Sequence, residues 1–100
     1  MNDPLTPSSG NVFEDLGFAP DEAANLAVRS TLMGRIRELI REEGLTQARA
    51  ARRFGVTQPR ISDLARGKIE LFSVDALINM LATGGHRVEV DVTPVEPRAA

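Results

Sequence analysis

Six cationic side chains, Arg49, Arg52, Arg53, Arg60, Arg66 and Lys68, fall between residues 45 and 68 against a single acid, Asp63, a local balance of +5. Phosphate contact needs such a local basic surface, whatever the charge of the whole molecule. Uncharged groups that both donate and accept stand among them: Thr46, Gln47, Thr57, Gln58 and Ser62. The Gln58 amide can bond the N6 and N7 of an adenine in a major groove. Arg60 suits a phosphate or a guanine. Asp63 repels phosphate but can accept from a cytosine N4. Each has a plainer alternative: Gln58 as part of a helix cap, Asp63 in an ion pair with Arg60 or Arg66, the arginines as a solvated helix face.

The remainder of the chain is acidic. Residues 1–44 carry four basic and eight acidic side chains, residues 69–100 two and five, and the total is −2. Solvation alone does not explain why the positive excess lies in one block.

Other chemistries find little support. There is no Cys, which excludes disulfides and thiolate metal sites, and the one His, His86, cannot build a multi-histidine site. His86 is expected to be structural, and Glu42 and Glu43 to be solvated at a helix end. With four Phe and no Trp or Tyr, a platform of stacked aromatics for single strands is not expected. No Ser–His–Asp arrangement, glycine-rich phosphate loop or metal cluster stands out. The expectation is a protein without catalysis, cofactor or metal. No apolar run reaches membrane-spanning length, and MNDPLTPSSG lacks the pattern of a signal peptide. A cytoplasmic location with no membrane partner follows as an expectation.

One hundred residues suggest one domain with a modest core. Residues 1–10 read as a flexible tail. In NVFEDLGF, Val12, Phe13, Leu16 and Phe18 are apolar at near-helical spacing, with Gly17 as a stop. They either cover the domain's own core or dock on a partner. A long helix should start near Asp21 and stop at Gly44, with Leu26, Leu32, Met33, Ile36, Leu39 and Ile40 inward. A break near Ser30, Thr31 or Gly34 is allowed. Thr46 should cap a helix over 47–54 whose Ala48, Ala50 and Ala51 permit close approach. Gly55 suits a positive φ in the following turn. Thr57 should cap a helix over 58–66 with Ile61, Leu64 and Ala65 inward. That cap puts Gln58 and Pro59 at the first two helical positions, where proline forfeits no intrahelical hydrogen bond. Pro59 also sets a rigid apolar ring beside Gln58, where a thymine methyl could sit.

Ser73 should start a last helix ending at Gly84-Gly85. HRVEVDV then alternates, with His86, Val88, Val90 and Val92 on one face, which predicts a β-strand. A lone strand needs a partner for its backbone. Two copies pairing through Val88, Val90 and Val92 across a two-fold axis is the economical answer. Pairing with another protein, or with an unrecognised strand of this chain, also remains open. The domain spans 11–92, and 93–100 is a loose tail.

The unit of helix, tight turn and helix, carried by LTQARAARRFGVTQPRISDLARGK, resembles the helix-turn-helix regulators of the phage-repressor class. More narrowly, NVFEDLGF, LIREEGLTQ, TQPRISDLARGKIELFS and DALINMLATGGHRVEV resemble the HigA-type antitoxins of bacterial type II toxin–antitoxin systems. The resemblance covers residues 11 to 92. It implies a mainly α, lambda-repressor-like bundle of about five helices with a short C-terminal strand. It implies a homodimer on palindromic double-stranded operator DNA and a cognate, RNA-cleaving toxin. On this basis Gln58, Pro59, Arg60, Ser62 and Asp63 are the expected base readers, with Gln47 buttressing Gln58. Thr46, Gln47, Arg49, Thr57, Arg66 and Lys68 are the expected phosphate ligands. Val12, Phe13, Leu16 and Phe18 are candidates for the toxin contact.

Overall fold

The computed structural model describes residues 11–95. They form five α-helices, α1 (Val12–Asp15), α2 (Pro20–Glu42), α3 (Gln47–Phe54), α4 (Gln58–Ala65) and α5 (Val74–Thr83), with a 3-10 turn at Ile69–Leu71. The expected tail at residues 1–10, and the last part of the tail at 93–100, lie outside the described residues.

Asn11 starts α1. Its side-chain oxygen accepts from the Phe13 amide at 2.9 Å, and its Nδ2 donates to the Ala23 carbonyl at 3.2 Å. One residue therefore caps α1 and ties it to α2. Phe13 and Phe18 meet edge to face with centroids 6.2 Å apart.

Pro20 occupies the first turn of α2, where its missing N–H costs nothing, and Asp21 and Glu22 face the positive helix end. The helix then runs unbroken through Ser30, Thr31 and Gly34, so the break allowed there does not occur. A glycine in a helix interior costs about 1 kcal/mol. Burial of Met33 and Ile36 on either side, about 1.5–3 kcal/mol for each such side chain, outweighs it.

Threonines open the next two helices. Thr46 Oγ1 accepts from the Arg49 amide at 3.2 Å and Thr57 Oγ1 from the Arg60 amide at 3.4 Å. Between them Gly55 takes φ 71°, a left-handed conformation that lets the chain reverse in a single residue. Pro59 falls in the first turn of α4, as the cap at Thr57 predicts. Ser73 caps α5 by accepting from the Ala76 amide at 3.0 Å.

Helices α2 to α5 and Phe72 converge on one core, and α1 contributes no buried side chain to it. Met33, Ile36, Phe54, Ile61, Leu64, Phe72 and Leu77 are its largest fully enclosed side chains. Ala50 and Ala51 bring α3 close, whereas Ala48 and Ala65, both expected inward, are exposed.

The expected C-terminal strand is absent: no strand occurs among the described residues. The His86 amide donates to the Leu81 carbonyl, closing the end of α5. Beyond it, residues 87–95 make no backbone hydrogen bond with the described chain. Val88 rests against the core, while Val90 and Val92 are 77% and 87% exposed. The physical reason is simple. A ladder needs a second strand, and the other described residues offer none.

Candidate nucleic-acid interface

The two threonine caps place two helix N-termini at the surface. Thr46, Gln47, Thr57, Gln58 and Pro59 are all exposed. The Thr46 and Thr57 hydroxyls accept from within their own helices, which leaves their O–H groups free to donate outward. The Gln47 and Ala48 amides of α3 have no intrahelical acceptor, nor has the Gln58 amide of α4, where Pro59 carries no N–H and the Arg60 amide is taken by Thr57, and the helix dipoles favour an anion at these ends. Gln58 and Pro59 therefore lead α4 outward, exposed among the described residues.

The six members of the cationic block do different things in the folded chain. Arg49, Arg52 and Arg66 are exposed and have no acidic partner among the described residues. Arg60 is half-buried, with its guanidinium 4.3 Å from the centroid of the Phe72 ring. Lys68 stands 3.8 Å from Asp63, so the partner of Asp63 is Lys68 rather than Arg60 or Arg66. At that distance, and with both side chains partly solvated, the pair is weak and leaves the ammonium able to turn to a phosphate. Ser62 is half-buried beside it.

Arg53 is committed elsewhere. It makes a two-pronged contact to the Glu43 carboxylate, and its Nε donates to the Gly84 carbonyl at 3.0 Å. It thus joins the ends of α2, α3 and α5. Glu43, expected to be merely solvated, is half of that tie.

Three further residues position α4 and were not marked by the sequence. Arg37 of α2 donates from Nη1 to the Leu64 carbonyl at 3.2 Å, satisfying a backbone acceptor at the C-terminal end of α4. Arg29 of α2 donates to the carbonyls of Ile69 and Phe72 at 3.2 and 3.3 Å, holding the turn that follows. Phe72, 1% exposed, fills the core beneath that turn and underlies Arg60. The periodic pattern of α2 shows its apolar stripe. It does not show that two of its arginines bond carbonyls 27 to 43 residues away.

The candidate partner-binding residues divide. Phe13 is half-buried and borders a small groove with Met33, Arg37 and Ile69. Val12, Leu16 and Phe18 are 57%, 69% and 40% exposed. So α1 packs on its own domain through Phe13 and presents its other apolar side chains to solvent.

Two capped helices joined by a glycine turn, with the second helix leading by an exposed amide, define a helix-turn-helix protein. Comparison with known proteins narrows the class. A helix-turn-helix domain family matches residues 12–93. A solved structure assigned to the XRE family of transcriptional regulators superposes with a TM-score of 0.69 at 32% identity, covering 79% of this chain and 90% of that one. No curated protein gives a significant match. The chain belongs to the XRE-type helix-turn-helix family.

Proposed function

We propose that this chain is a homodimeric operator-binding repressor and the antitoxin partner of a small RNA-cleaving toxin. The observation that carries the DNA reading is the exposed N-terminal end of α4, with Gln58 and Pro59 uncovered beside exposed Arg49 and Arg66. Gln58, Pro59, Arg60, Ser62 and Asp63 read base edges, and the helix N-termini with Arg49, Arg66 and Lys68 hold phosphates. Repression follows from occupancy of a promoter and needs no catalytic step. In a dimer the two α4 helices enter major grooves about one helical turn, roughly 34 Å, apart. The setting is the bacterial cytoplasm.

The antitoxin reading is favoured by Val12, Leu16 and Phe18, which stay exposed although α1 is tied to α2. A toxin surface that covers them would account for apolar side chains in water. A stand-alone regulator uses the same α4 and needs no such partner.

A mobility shift on DNA from upstream of the gene tests the first part. Gln58→Ala combined with Arg60→Ala is expected to abolish specific binding, and unchanged affinity and selectivity would overturn the assignment of α4. Co-purification from the native operon tests the second. A toxin retained by the native chain but lost on Leu16→Asp supports the antitoxin, and recovery of the regulator alone leaves the stand-alone reading.

A further inference from the structure

The segment that follows α5 combines three features. Beyond His86 its backbone makes no hydrogen bond with the described residues. Its valines alternate with charges in the order Arg87, Val88, Glu89, Val90, Asp91, Val92. It also borders an apolar groove of about 360 Å³ between α2 and α5, lined by Val28, Leu32, Val74 and Ile78 together with Val88 and Val90.

We propose that residues 86–90 of two copies pair antiparallel about a two-fold axis that passes through Val88. The proposal rests on the homodimer reading above and adds its surface and register. In a two-fold antiparallel pair, directly opposed side chains lie on one face of the ribbon. Alternation then requires the axis to pass through a residue rather than between two. Three centres keep most of the segment paired: Val88, Glu89 and Val90.

Charge selects among them. With the axis at Val88, Arg87 of each copy stands opposite Glu89 of the other, giving two opposite-charge pairs. With the axis at Glu89, Arg87 faces Asp91 twice, but the Glu89 carboxylate faces its own copy at the centre of the ribbon. With the axis at Val90, Glu89 faces Asp91 twice. Directly opposed like charges destabilise a sheet and opposite charges stabilise it. Val88 is thus the one centre of the three with attraction and no repulsion.

Packing agrees with that choice. Val88 is the valine already seated against the core. Two Val88 side chains meeting on the axis join two cores, and Val90 comes to lie opposite His86 of the second copy. Arg87 and Glu89 already contact each other within one chain at 3.1 Å, with side chains 84% and 75% exposed. Exchanging that contact for its equivalent across the axis requires little further desolvation.

The absence of cysteine makes the register directly readable in the full-length protein. Opposed residues in an antiparallel pair have Cα atoms about 4.5–5.5 Å apart, inside the range a disulfide spans. Val88→Cys, Glu89→Cys and Val90→Cys are prepared separately and oxidised mildly. Rapid covalent dimerisation of Val88→Cys, with the other two much slower, is expected. Faster linkage at 89 or 90, or at none of the three, overturns the register. Light scattering supplies a second readout independent of cysteine. Arg87→Glu and Glu89→Arg should each weaken the dimer about tenfold, and the double reversal should restore it. A double variant no better than the singles overturns the pairing, as does a native chain that stays monomeric until another protein is added. Loss of operator binding with intact Val88→Cys linkage would instead refute the DNA reading and leave this one standing.

Discussion

Replacing glycine by alanine should have opposite effects at two positions of this fold. Gly84 follows α5 with φ −77°, a conformation open to any residue, so the backbone raises no objection to a side chain. The objection is steric. An alanine Cβ at 84 would lie 2.5 and 2.6 Å from two ring carbons of Phe54 and 3.3 Å from the Met80 carbonyl. Carbon atoms settle at about 3.5–4.0 Å, so the ring must move by roughly 1 Å. Phe54 is 2% exposed and has no room to swing into solvent. Overpacking of this kind costs about 1–3 kcal/mol. Gly34, in the interior of α2, has nothing nearer to an added Cβ than Arg37 Nη2 at 4.0 Å. Alanine there should stabilise by about 0.5–1 kcal/mol through the helix backbone alone. Thermal unfolding followed by circular dichroism reads the difference. With each kcal/mol worth about 4–8 °C in a domain of this size, Gly34→Ala should melt at least about 6 °C above Gly84→Ala. Adding Phe54→Leu to Gly84→Ala should cost less than the two separate changes sum to. Equal melting of the two alanine variants would refute the claim that Gly84 exists to admit the Phe54 ring.

Three other expectations follow from the positioning of α4. Arg37→Met keeps the stem but deletes the bond to the Leu64 carbonyl. It should destabilise by about 0.5–1.5 kcal/mol and speed amide exchange at the end of α4 before elsewhere, which hydrogen exchange would detect. Thr57→Ala removes the cap at the other end and should cost about 1 kcal/mol in urea unfolding, with Thr57→Ser recovering most of it. Arg66→Ala should weaken DNA binding about equally on all sequences and lower the salt slope by about one, whereas Gln58→Ala should reduce discrimination by about 1–3 kcal/mol and leave the slope unchanged.

The boundaries of α3, α4 and α5 were legible because their signals are local. Thr46, Thr57 and Ser73 each bond an amide three residues on, and such caps can be recognised in a short window of sequence. Gly55 was legible for the same reason. The 3-10 turn at Ile69–Leu71 and the burial of Phe72 beneath it were not, since both depend on Arg29 reaching across from α2. Sequence places Arg53 in the basic block because its charge matches that of its neighbours. Its removal from that set depends on Glu43 and on the Gly84 carbonyl, contacts of the folded chain. The strand failed for a different reason. Alternation reports which residues share a face, and a ladder further requires a neighbour that the described residues of one copy do not supply.

The seat of Arg60 on Phe72 has a consequence for the entropy of association. A free arginine side chain carries about 2 kcal/mol of rotamer entropy, part of which is surrendered whenever it is immobilised against a ligand. Here folding has already seated the guanidinium over a buried ring, its central carbon 4.3 Å from the ring centroid. Any bond Arg60 makes to DNA therefore starts from a group whose freedom is largely spent, with its five donors held in a fixed fan. Lysine at this position would retain the charge but lose the fork of five donors, and the same contact would have to restrain a flexible chain at the moment of binding.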